Sequence, residues 1–227
     1  MERELLLTGI GGQGIQLAAR VIATAAIAEG RSVQLFGSYG GMMRGGNTDA
    51  TLVVADGLVE APPTIGHAWS VIVMHDQFAA PILAKLKPGG LVVINADVCS
   101  SRPDPARSNV VEVVANEIAD RVGNRLAASM VLTGAYAAAT GLVSLHALED
   151  AIAASLPSYR QKTVDVNVAA LRGGFETAPR DLVASWPEGV RALARNASSL
   201  AGPWSSTSTR ARAAIFASTR AHPACSR

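Results

Sequence analysis

Glycines 9, 11 and 14 in the run Thr8-Gly9-Ile10-Gly11-Gly12-Gln13-Gly14 stand at the spacing of a phosphate-holding turn. The apolar run Leu5-Leu6-Leu7 precedes them, and an alanine-rich segment from Ile15 to Glu29 succeeds them. The order strand, glycine turn, helix brings backbone amides up to an anion at a helix N-terminus. Glycine suits the turn because, without Cβ, it takes positive φ and lets a bulky ligand touch the main chain. The pattern points to a phosphate-bearing molecule without naming it. Its bland counterpart is a tight strand-to-helix turn that binds nothing.

A nicotinamide or flavin site needs an Asp or Glu at the end of the second strand, for the ribose hydroxyls. The second strand, Val33-Gln34-Leu35-Phe36, instead runs into Gly37-Ser38-Tyr39-Gly40, and Arg31 precedes the strand. The missing acid argues against NAD or FAD. In its place the strand opens into a second glycine cluster, Gly37-Ser38-Tyr39-Gly40-Gly41-Met42-Met43-Arg44-Gly45-Gly46-Asn47. Loops after strand carboxyl ends line the ligand crevice of an α/β sheet, so both clusters are expected on one edge. Arg44 among glycines is placed to meet a phosphate or carboxylate with its two-pronged guanidinium. The alternative is a solvated arginine in a surface loop.

Together, Gly9-x-Gly11-Gly12-Gln13-Gly14-Ile15, Ser38-Tyr39-Gly40 and Arg44-Gly45-Gly46 resemble the gamma subunit of the 2-oxoacid:acceptor oxidoreductases, the pyruvate, 2-ketoisovalerate, 2-oxoglutarate and indolepyruvate ferredoxin oxidoreductases. The likeness runs over roughly residues 3 to 175, with softer matches at Asn95, Met130 to Ala135 and Asn167 to Gly174. Gly41-Met42-Met43 departs from the Pro and acidic residue of many relatives, which leaves the 2-oxoacid open. The resemblance implies a subunit that helps build a coenzyme A site and packs against other chains. Those chains would carry thiamine diphosphate with Mg, and the iron–sulfur clusters, with ferredoxin or NAD as acceptor. It assigns Gly11, Gly12, Gln13 and Gly14 to the coenzyme A phosphates and Ser38 and Arg44 to the second wall, with Gly9, Tyr39, Gly45 and Gly46 also among the cofactor-binding residues. The rival readings are a purely structural subunit whose glycine loops pack a partner's backbone, and a stand-alone Rossmann-like nucleotide-binding protein.

Composition sets bounds. The chain of 227 residues is 49% hydrophobic but only 4% aromatic and 17% charged, as expected of buried parallel strands flanked by helices. Net charge is +2; residues 196–227 hold Arg210, Arg212, Arg220 and Arg227 and no acid, so the first 195 residues balance to −2. That folded part offers no basic stripe for nucleic acid. Two cysteines, Cys99 and Cys225, cannot ligate an iron–sulfur cluster or a four-thiolate zinc. No signal peptide is legible and no apolar run reaches the roughly 20 residues of a bilayer span, so a cytoplasmic chain is expected.

The elements that must position these groups alternate. Strands are predicted at 4–8, 32–36, 49–55, 70–75, 90–95 and 109–114, and helices at 14–29, 77–85, 116–122, 126–139, 145–155 and 162–173. The alternation predicts an α/β, three-layer Rossmann-like fold, a mostly parallel sheet with helices on both faces, over residues 1–178. Lys87-Pro88-Gly89-Gly90 reads as a turn into the fifth strand. Residues 179–227 read as an extension: turn-like at Trp186-Pro187, then without apolar periodicity, and so disordered or a partner-binding arm. His75-Asp76 reads as a strand-end pair before it reads as acid–base machinery. Cys99 has no base beside it, and no Ser-His-Asp or paired-carboxylate set emerges.

Overall fold

The computed structural model describes residues 1–39, 45–62, 64–100 and 102–187. The first strand, β1 (Glu2–Ile10), is apolar on both sides, and the structure shows why: Leu5 and Leu7 enter one core, Leu6 the other. It lies inside a six-stranded sheet with β2 (Ser32–Tyr39), β3 (Asn47–Ala55), β4 (Ala68–Val73), β5 (Leu86–Asn95) and β6 (Asn109–Val113), ordered β2-β3-β1-β4-β5-β6. Strands β1, β4, β5 and β6 pair in parallel.

The other side of β1 is antiparallel, through β3 to β2. The reason is chain length. Only residues 40–46 separate β2 from β3, and a parallel crossover needs a dozen or more. The sheet is therefore mixed, with β2 and β3 forming a hairpin. Strand β2 still runs in the direction of β1, so the hairpin's connection falls on the edge where β1 ends.

One face of the sheet carries α1 (Ile15–Ala28), α3 (Ala115–Arg121), α4 (Ala128–Thr140), α5 (Leu145–Ser155) and α6 (Val164–Thr177) around the larger core. The opposite face carries the short α2 (Ala79–Leu83), through Ala79 and Ile82, and the loop bearing Ile65. Helix α4 is buried at every position, with Tyr136 at its middle, Oη 3.0 Å from Ser70 Oγ. Helices α4 and α6 approach until backbones touch. A Cβ on Gly134 would lie 2.0 Å from Leu171 O, and one on Gly174 1.8 Å from Val131 O. The matches at 130–135 and 167–174 are this crossing.

Two local expectations change. Lys87 to Gly90 belong to β5, where the register shifts between Ala68 and Ser70 of β4 and Gly89 takes φ 75. The helix expected over 77–85 is a 3-10 turn, Asp76–Phe78, followed by α2. Beyond residue 178 the chain packs on the domain as far as Trp186. The amides of Asp181, Val183 and Ser185 donate to Ala138 O, Ala139 O and Thr140 O at 2.8, 3.0 and 2.9 Å. These carbonyls are the unsatisfied end of α4. Trp186, 3% exposed, donates Nε1 to Leu142 O at 3.0 Å. This strap satisfies the helix end that the sequence shows only as Trp-Pro punctuation. Cys225 and the four tail arginines lie outside the described residues.

Candidate functional site: the glycine turn at the sheet edge

The turn between β1 and α1 is built by two left-handed glycines, Gly12 at φ 105 and Gly14 at φ 83, a region that disfavours residues with a Cβ. Gly14 is the N-cap of α1, and among the described residues no side chain caps the helix. The first amides of the helix are thus open to an external acceptor, with the positive end of the helix dipole behind them. No acid stands in the first turn of α1 to compete with an anion. Gly9 is wedged at the strand end, where a Cβ would lie 2.8 Å from Gln13 Oε1 and 2.9 Å from Met74 Cβ. Gly14 is closed from behind by α4: a Cβ there would lie 2.5 Å from Ser129 Oγ.

Gly46 and the start of β3 meet this turn. Ile10 pairs with Asn47 and Tyr39 with Thr48, so the two glycine clusters share one edge. The Gly11 amide donates to Gly46 O at 2.9 Å, joining them directly. The Gln13 amide donates to Ile10 O at 3.1 Å, and its side-chain Oε1 accepts from Ile10 N at 2.8 Å. Gly11 and Gln13, both assigned to phosphate, therefore hold their backbone donors inside the turn. The amides of Gly12 and Gly14 make no hydrogen bond among the described residues. Ser38 is exposed and pairs in register with Asp49. Tyr39 ends β2, and Gly45 takes φ 93. Arg44 lies outside the described residues, as do Gly40, Gly41, Met42 and Met43.

Sequence reasoning missed the acceptors beneath the turn. Thr8 pairs with Asp49 across β1 and β3. Thr8 Oγ1, Asn47 Oδ1 and Asp49 Oδ1 are buried with no hydrogen-bond partner among the described residues, while Asp49 Oδ2 accepts from Asn47 Nδ2 at 2.7 Å. Buried oxygens without donors are destabilising, and they suit a ligand or partner that brings N–H or O–H groups. Strand register alone brings Thr8 to Asp49, and no local pattern marks it.

The remaining candidates resolve into structure. His75 Nδ1 accepts from Gln77 N, and Asp76 Oδ2 accepts from Ser100 N and Ser100 Oγ, both at 2.8 Å. Asn95 Nδ2 donates to Asn116, and Asp97 Oδ2 accepts from the Asn116 and Glu117 amides at the start of α3. Burial first, then the charge of Asp76, pushes the Cys99 thiol up to about 11. A thiol so held is a poor nucleophile at neutral pH.

The pyruvate ferredoxin/flavodoxin oxidoreductase profile matches residues 4–177. The chain is 31% identical over 183 residues to the 2-oxoglutarate synthase subunit KorC of Methanothermobacter thermautotrophicus, covering 78% of this chain and 95% of that one. It is 29% identical over 181 residues to the common gamma subunit of the pyruvate/ketoisovalerate oxidoreductases of Thermococcus litoralis, covering 76% and 95%. Among solved structures it is similar to the keto/oxoacid ferredoxin oxidoreductase gamma subunit of Geobacter sulfurreducens, with TM-score 0.66, 29% identity, and coverage of 78% and 98%. The chain belongs to the pyruvate ferredoxin/flavodoxin oxidoreductase family.

Proposed function

We propose that the chain is the gamma-type subunit of a multi-subunit, thiamine diphosphate-dependent 2-oxoacid:acceptor oxidoreductase, and that its glycine turn forms part of the coenzyme A site. The observation that carries the reading is the glycine turn itself, whose Gly12 and Gly14 amides have no hydrogen-bond partner among the described residues, at the uncapped start of α1. The Gly12 and Gly14 amides and the uncapped end of α1 suit the phosphates of coenzyme A. Thr8, Asn47 and Asp49 lie at the same end of the sheet, with buried oxygens that have no hydrogen-bond partner among the described residues. Coenzyme A would take the acyl group, while the electron sink and the electron carriers would belong to partner chains. The reaction of the complex would be 2-oxoacid, coenzyme A and oxidised acceptor giving acyl-coenzyme A, carbon dioxide and reduced acceptor. Ferredoxin or NAD would be that acceptor.

Arg44, expected in the second wall, supplies the test. Loss of a charge-assisted pair costs about 1.5–3 kcal/mol, or about ten- to a hundredfold in affinity. Arg44→Ala in the assembled complex should raise the apparent Michaelis constant for coenzyme A by that factor and move the 2-oxoacid constant much less. Arg44→Lys should recover only part, since an ammonium keeps the charge without the fork. The internal bonding of the Gly11 and Gln13 amides favours the second reading, a purely structural subunit. That reading wins if the coenzyme A constant stays put while Arg44→Ala breaks the complex apart.

A further inference from the structure

Helices α1 and α4 both start at the glycine turn and run back along the sheet, so their far ends meet about 20 Å away. A cavity of about 320 Å³ lies there, lined by Glu29 and Arg31 after α1, by Leu142 and Val143 between α4 and α5, by Phe175 and Arg180, and by Trp186 of the strap. Two guanidiniums face it, each laid on an aromatic ring. The Arg31 Cζ lies 4.2 Å from the Trp186 ring centre, and the Arg180 Cζ 3.7 Å from that of Phe175. Neither arginine forms a salt bridge among the described residues. Arg31 Nε is buried and has no hydrogen-bond acceptor among the described residues. Ring stacking fixes both forks before any ligand arrives, which lowers the ordering cost of binding.

We infer that this cavity is a second binding site, for a small organic monocarboxylate with a compact apolar body. The forks match a carboxylate's two oxygens, and Leu142, Val143 and Phe175 supply the apolar lining. Glu29 and Asp181 stand on the same wall, and Glu29 Oε1 already accepts from Ser144 N at 2.9 Å. Their charges penalise a second negative charge on the ligand, so a monocarboxylate is favoured over inorganic phosphate. The site is separate from the glycine turn and does not depend on the coenzyme A reading.

Two probes decide it, phenylacetate and inorganic phosphate, titrated into the full chain while the indole N–H resonance of Trp186 is followed. Trp186→Phe identifies that resonance. Phenylacetate should shift it saturably, and phosphate should bind at least about tenfold more weakly. Arg31→Gln and Arg180→Gln should each weaken phenylacetate about tenfold or more. Arg180 is exposed, so its variant should keep the wild-type melting temperature even if Arg31→Gln loosens the strap. No saturation by about 20 mM phenylacetate would overturn the site. So would unchanged affinity in a folded Arg180→Gln chain, or phosphate binding as tightly as phenylacetate.

Discussion

At the scale of single residues, the two left-handed glycines differ in a way that can be measured. Gly14 combines φ 83 with a Cβ position 2.5 Å from Ser129 Oγ, whereas Gly12 has φ 105 and open space around it. Left-handed backbone costs a residue with a Cβ about 1–2 kcal/mol. Gly12→Ala should lower stability by that increment alone, and Gly14→Ala by more, as the Ser129 hydroxyl must also move aside; calorimetry on the pair would show the difference. Cys99 gives a pH prediction. Its folded thiol is raised to about 11 from an ordinary 9.0. The unfolded chain loses that proton first, so the contribution to stability is complete below pH 9.0 and is lost as pH rises towards about 11. Urea titrations across that window should show a shallower fall for Cys99→Ala than for the parent chain. Much of the turn was legible, because glycine spacing after an apolar run has a local cause. The roles of Gln13 Oε1, Ser129 and Asp49 were not. They arise from a side chain folding back, a helix end arriving from residue 129 and a strand register, none of which leaves a local pattern.

At the scale of elements, the α4–α6 crossing depends on two glycines. Cβ atoms at Gly134 or Gly174 would sit 2.0 and 1.8 Å from carbonyl oxygens of the other helix. Backbone cannot yield as a side chain does, so the helices must part. Gly174→Ala should cost at least the about 1–3 kcal/mol of an overpacked core. Gly173→Ala, one residue away, meets only the Ile118 Cγ2 atom at 2.8 Å and should cost less. Denaturant midpoints of the two variants would check the order. The strap gives a second element-scale prediction. A chain ending at Ala178 leaves the carbonyls of Ala138, Ala139 and Thr140 without donors and exposes the seat of Trp186, whereas one ending at Ala197 keeps the strap. The first truncation should lower Tm by many degrees and the second should barely move it. Strand and helix order was readable from periodicity. The direction of β3 was not, since the strands read at 32–36 and 49–55 leave twelve residues between them, enough for a crossover, and only their true ends at Tyr39 and Asn47 shorten the connection to seven. The strap was not, since it is neither helix nor strand and is held by another element's carbonyls.

At the scale of the whole molecule, the described residues offer an uncapped helix end at the sheet edge, a row of unsatisfied oxygens and no nucleophile–base set. Under the proposed function, these groups form one wall of a site that partner chains complete. Purification from the native source should therefore yield this chain in a hetero-oligomer with a thiamine diphosphate-binding chain and an iron–sulfur chain, identified by mass spectrometry after size exclusion. A partner-free monomer with its own activity would refute that. The central claim concerns coenzyme A at the glycine turn, and Gly12→Asp tests it most directly. Gly12 is exposed, its Cβ direction is open, and Asp tolerates left-handed backbone better than most residues. The new carboxylate would stand beside the amides expected to hold phosphate. Steady-state kinetics of the assembled complex should show the apparent Michaelis constant for coenzyme A raised about tenfold or more, with that for the 2-oxoacid nearly unchanged. An intact Gly12→Asp complex with an unaltered coenzyme A constant would contradict the account.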